Sequence, residues 1–96
     1  MNIELVKKQL SRLRYLLSQP ATDVCWSNYN SADEVIKELD ILEKGIASRD
    51  YTTVRRLISL LAPTGQLQEI SISSGWGDEF LDIAASLERE LDKRLV

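Results

Sequence analysis

Gln66-Leu67-Gln68-Glu69-Ile70-Ser71-Ile72-Ser73-Ser74 is the stretch on which the fold class turns. Leu67 and Ile70 stand three residues apart, as they would on one face of a helix, whereas Ile70-Ser71-Ile72-Ser73 alternates apolar and polar residues as a strand does. A lone strand has unpaired backbone groups along both edges, and no other segment of the chain reads as its mate. The strand would need a second copy to pair with. A short helix is therefore the expectation here, and an all-α chain follows from it.

Working outward, Gly75-Trp76-Gly77 interrupts the pattern. Phe80, Ala84, Leu87, Leu91 and Leu95 then outline a long final helix, with Asp78, Glu79 and Asp82 near its positive N-terminal end. On the other side, Val54, Leu57, Ile58 and Leu61 form the stripe of a helix capped by Asp50 and stopped by Pro63. Before it, Ser31 and Glu34 have capping-box spacing ahead of the stripe Val35, Leu39, Leu42 and Ile46. Gly45 weakens the last turn of that helix, which should fade by Ser48 to Arg49. Ile3, Val6, Leu10, Leu13 and Leu17 give a first amphipathic helix ending before Pro20. Residues 20–30 have no period, are rich in turn formers and read as a loop. There is no internal repeat. These readings predict one domain over residues 1–96, an all-α irregular bundle of four to five helices with the first and last packed on the middle ones.

The 96 residues are 44% hydrophobic and 28% charged, the composition of a globular domain with one modest core. Apolar runs such as Leu57 to Ala62 fall far short of the roughly 20 residues a bilayer span requires. Cys25 is the only cysteine and cannot form an internal disulfide, and no leader pattern is seen, so a cytoplasmic location is expected. The net charge of −3 disfavours binding to phosphate and favours a basic partner. The charge is segmented: +3 over residues 1–20, −4 over 21–48, +2 over 49–66 and −4 over 67–96. Such alternation is suited first of all to pairing antiparallel helices.

Histidine is absent, which removes Ser-His-Asp and Cys-His nucleophile chemistry and most zinc sites. No catalytic residue, cofactor or metal ligand is assigned. Asp78 and Asp82 are spaced to share a helical face, but first-turn acids more often serve the helix dipole than a cation. Gly75 and Gly77 flank a tryptophan and precede acids, unlike a phosphate-binding loop. Residues 54–74 allow a helix-turn-helix reading, yet the second helix has no Lys or Arg to hold a phosphate backbone, so no nucleic-acid or membrane partner is expected. Tryptophan and tyrosine suit partner interfaces. Trp26 and Tyr29 lie in the irregular loop and could face either way, while Trp76, between two glycines, should fold inward.

Ala62-Pro63-Thr64-Gly65-Gln66-Leu67-Gln68-Glu69-Ile70-Ser71, followed by Gly75-Trp76-Gly77-Asp78-Glu79-Phe80-Leu81, resembles a pattern in small bacterial helical proteins, some of them candidate immunity proteins of polymorphic toxins. The resemblance covers about a fifth of the chain. It implies a small helical bacterial protein and a toxin-neutralising role, with no catalytic residues to transfer. Composition and resemblance together lead to the expectation of a non-enzymatic protein-binding domain, an immunity-type inhibitor whose acidic surface meets a basic toxin domain. The expected contact residues are Asp33, Glu34, Glu38, Asp78, Glu79 and Asp82, with Trp26 and Tyr29 as anchors. The alternative is a homo-oligomeric structural or regulatory module, such as a homodimer, in which Leu5 and Leu16 of the first helix pack on a second copy.

Overall fold

Asn2, Ser31 and Asp50 each mark the start of a helix with the side-chain oxygen that such a start needs. Asn2 accepts from the Leu5 amide, Ser31 from Glu34 and Asp50 from Thr52. The computed structural model describes residues 2–24, 27, 29–62 and 65–95, the last four of these as backbone alone. The described residues form α1 (Ile3–Leu17), α2 (Ala32–Ala47), α3 (Tyr51–Leu61), α4 (Gln66–Ser74) and α5 (Gly77–Leu95). The ambiguous stretch is thus a helix. Ile70 and Ser71 point inward from it and Ile72 outward, so the apparent alternation reflects a helix with serine at one buried position.

Two helix ends share one turn geometry. At the end of α2 the Arg49 amide donates to Ile46 and the Asp50 amide to Gly45. At the end of α4 the Gly75 amide donates to Ile72 and the Trp76 amide to Ser71. Both are Schellman-type closures, which satisfy the last carbonyls of a helix by placing one residue in the left-handed region. Gly75 occupies it at φ 85°, without steric cost, whereas Arg49 occupies it at φ 61°. Asp50 ends one helix and caps the next, so α2 and α3 fold back on each other with almost no connecting chain. Gly45 belongs to this close approach: a Cβ there would lie 2.2 Å from Thr53 Oγ1 and 2.8 Å from Thr53 Cβ.

The packing order follows from the stripes. α1 packs on α2 and α5, α2 on α3, α3 on α4 and α5, and α4 on α5, so the first and last helices also lie against each other. Asn2, which caps α1, and Arg12 within it reach Glu90 and Asp82 of α5 respectively, which makes this pair of helices antiparallel. One core joins all five helices, with Leu10, Leu13, Leu39, Leu57, Leu67, Phe80, Ile83 and Leu87 fully enclosed. The radius of gyration of 12.4 Å matches the roughly 12.5 Å expected of a folded chain this long. Two stripes differ from the sequence reading: Leu60 and Ile83 are buried, while Ile58 is only partly so. The predicted core position Leu95 falls among the residues described by backbone alone, and the predicted stop Pro63 lies outside the described residues. Among the described residues no helix is long and apolar enough to cross a membrane.

Candidate functional site

The expected contact residues fall in two places, the loop and first turns leading into α2 and the first turns of α5. Among the described residues no hydrogen bond or ion pair joins the two groups.

At the first place, Tyr29 is drawn inward. Its ring packs partly against the core and its hydroxyl donates to Glu38 Oε2. Glu38 Oε1 in turn accepts from Arg56, with Nε at 2.9 Å and the terminal nitrogen at 2.8 Å. Burial, then the hydrogen bond and the negative charge of Glu38, push the Tyr29 phenol up to about 12, against a smaller opposing pull from Arg56. Loop, α2 and α3 are tied together through these three side chains. Glu38 is therefore already engaged inside the molecule. Glu34 is engaged as well, because its carboxylate accepts from the Asn30 amide at 2.8 Å and the Asn30 side chain at 3.3 Å, closing the helix start. Asp33 stays exposed, with no side-chain partner among the described residues. Trp26, the other expected anchor, lies outside the described residues, as do Cys25 and Asn28.

At the second place, Asp78 and Glu79 sit exposed on the first turn of α5, where their charge complements the helix dipole, and neither is paired among the described residues. Asp82 lies 3.6 Å from an Arg12 guanidinium nitrogen, with its side chain still 76% exposed. Trp76 folds inward as expected, at 6% exposure, and its indole Nε1 has no hydrogen-bond partner among the described residues. The connecting loop is also tied to this end of the molecule at Asp23, whose amide donates to Ser74 Oγ at 2.7 Å.

The ion pairs found among the described residues explain what the charge segmentation does. Arg14 on α1 bridges Asp40 and Glu43 on α2, each at 2.8 Å, Arg56 joins Glu38, and Arg12 joins Asp82. Each pair connects a segment of net positive charge with one of net negative charge. The segmentation thus serves helix pairing, and it takes Glu38 fully and Asp82 partly out of the free acidic surface. Sequence reasoning missed two residues beside the remaining acids: Ile72 and Leu81 are exposed at 60% and 54%. Their signal was present, because both fall off the apolar stripes of their helices.

Among the described residues no three His, Cys, Asp or Glu side chains gather as a metal site would require. Comparison with protein-family models, with curated proteins and with solved structures finds no match to this chain.

Proposed function

We propose that the chain is a non-enzymatic protein-binding domain, most concretely an immunity-type inhibitor that works in the cytoplasm by presenting carboxylates to the basic surface of a toxin domain. The observation that carries this reading is the set of acids left exposed once the ion pairs between helices are made. Arg12, Arg14 and Arg56 are committed to pairs between helices, while Asp33, Asp78 and Glu79 remain exposed and unpaired among the described residues. Exposed carboxylates of this kind speed encounter with a cationic partner and fix its orientation. The resemblance of residues 62–71 and 75–81 to candidate immunity proteins supports the same reading. Within it, Glu34, Glu38 and Tyr29 shape the surface by holding the loop, and Asp33, Asp78, Glu79 and Asp82 make contact. Trp26 would add an aromatic anchor.

The homo-oligomeric alternative has less to draw on. Leu16 packs against the core of its own chain and Leu5 is partly covered, so the surplus stripe on α1 is largely accounted for.

The test is capture of partners by the tagged full-length chain from its native host, with sizing of the eluate, alongside a variant carrying Asp33→Lys, Asp78→Lys and Glu79→Lys. A stoichiometric basic protein that the variant no longer retains, at unchanged helicity, is the expected result. Recovery of only the chain itself as a discrete oligomer would overturn the reading in favour of the module.

A further inference from the structure

Ile72 and Leu81 are exposed on either side of the elbow where α4 gives way to α5. A Cβ at Gly77 would touch Ile72 Cγ1 at 3.9 Å, so the isoleucine covers the first turn of α5. Leu81 is four residues beyond Gly77, on the same face, and helical side chains lean back toward the N-terminus. The two apolar side chains therefore border one spot, floored by a residue with no side chain of its own. Scattered exposed leucines need no explanation, but adjacent ones with a polar rim mark a contact surface.

The rim here has a single sign. Glu69 is three residues before Ile72, Asp78 three before Leu81 and Glu88 seven after it, so each shares a face with the apolar residue it flanks. From Leu57 to Glu88 the chain has five acids, Glu69, Asp78, Glu79, Asp82 and Glu88, and no Lys, Arg or His. Arg12 alone among the described cations reaches this stretch in an ion pair, and it does so at Asp82. A second copy docked on the elbow would set these acids against their own equivalents, and an anionic membrane surface would be repelled. Charge complementarity selects a cationic occupant.

We infer that the α4–α5 elbow is the docking surface for a cationic amphipathic segment of a partner protein. One apolar side chain of that segment sits over Gly77 between Ile72 and Leu81, and Lys or Arg on either side face Glu69, Asp78, Glu79 and Glu88. This inference rests on the reading of the chain as a binder of basic proteins and narrows it to the α4–α5 elbow, on different helices from Asp33 and Glu34.

The probe is a synthetic helical peptide of leucine and lysine with one apolar face, titrated into the isotope-labelled full chain while backbone amides are followed by NMR. A leucine–glutamate peptide of the same pattern serves as control. Expected are shifts centred on residues 72, 77 and 81, binding that weakens with salt, no binding of the control, and about tenfold weaker binding to Ile72→Ser or Leu81→Ser. Both substitutions replace exposed side chains, and unchanged circular dichroism verifies their folds. Shifts spread over Asp33, Glu34 and every other acid, with affinity indifferent to the two serine variants, would overturn the elbow while leaving capture of a basic partner to decide the wider reading. Absence of any peptide binding, or a dimer that Leu81→Ser converts to monomer, would overturn it as well.

Discussion

Replacing Arg49 with glycine should stabilise the protein. The residue sits at φ 61° at the C-terminal closure of α2, the only residue other than glycine at positive φ among those described. The left-handed conformation costs an L-residue about 1–2 kcal/mol. Glycine escapes that cost but loses about 0.5–1 kcal/mol more backbone entropy on folding. Loss of a cation near the end of α2 removes about 0.3 kcal/mol more. Arg49→Gly should then gain about 0.5 kcal/mol, and Arg49→Ala, which keeps the strain and loses the cation, should lie about 1 kcal/mol below Arg49→Gly. Gly75 supplies the mirror experiment. It closes α4 with the same two hydrogen bonds, and nothing lies within 4 Å of a Cβ built on it, so Gly75→Ala isolates the backbone penalty and should cost about 1 kcal/mol. Urea unfolding of the four chains measures this, with unchanged m-values showing that only stability moved. In thermal melts the same differences appear as about 4–8 °C for each kcal/mol. Equal stability of Arg49→Gly and Arg49→Ala would refute the reasoning, because it would mean that no left-handed residue closes the turn.

Three further outcomes test the packing and the electrostatics. Gly45→Ala should cost about 1–3 kcal/mol by forcing α2 from α3, and Thr53→Ala should restore part of it in a double-mutant cycle, since it removes the Oγ1 and Cγ2 contacts at 2.2 and 2.7 Å but leaves Cβ. Tyr29 should titrate near 12, above the ordinary value of 10, so the folded chain holds this proton more tightly than the unfolded chain; the resulting stability is complete below pH 10 and is lost as pH rises toward 12. Phenolate absorbance of Glu38→Gln should show that value falling only part of the way, because burial is the larger cause. Arg14→Ala should cost about 1–2 kcal/mol, since its 21% exposed side chain loses both packing and two partners, whereas Arg12→Ala, whose pair is largely in solvent, should cost less than about 0.5 kcal/mol by chemical denaturation.

Helices were legible wherever a local rule suffices. Apolar spacing located the five elements, the side chains of Ser31 and Asp50 marked two starts, and the inward turn of Trp76 followed from its place between helices. The strand-like alternation of 70–73 was resolved by asking what such a strand would pair with. Other features depend on which helices meet, which periodicity does not report. Gly45 reads in sequence as a weak point of α2, yet in the fold it admits Thr53 and accepts the closing bond from Asp50. The left-handed turn at Arg49 carries no glycine or asparagine to announce it. The acids illustrate the same limit. Asp33, Glu34 and Glu38 look alike along one helix, but Glu34 closes its N-terminus, Glu38 joins Tyr29 to Arg56, and only Asp33 stays free for a partner among the described residues.

That sorting changes what the net charge of −3 signifies. Exposed ion pairs add little to stability, but like charges placed together are penalised, so the segmentation selects which helices lie side by side as much as it holds them there. α1 contributes most to this selection, with Arg14 directed at α2 and Arg12 at α5. Arg56 does the same between α3 and α2. Beyond Arg56 no further cation occurs until Arg89, so among the described residues α4 and the first half of α5 receive one ion-pair partner, given by α1 to Asp82. The uncompensated charge therefore accumulates at the elbow for the same reason that the bundle pairs correctly elsewhere. If this surface steers a basic partner, reversing Glu69, Asp78 and Glu88 should reduce the association rate and its salt dependence more than reversing Asp33 does, while dissociation answers mainly to Ile72 and Leu81. Stopped-flow association at several ionic strengths separates the two contributions. An equal effect of Asp33 on the association rate would place the encounter surface at the start of α2 instead.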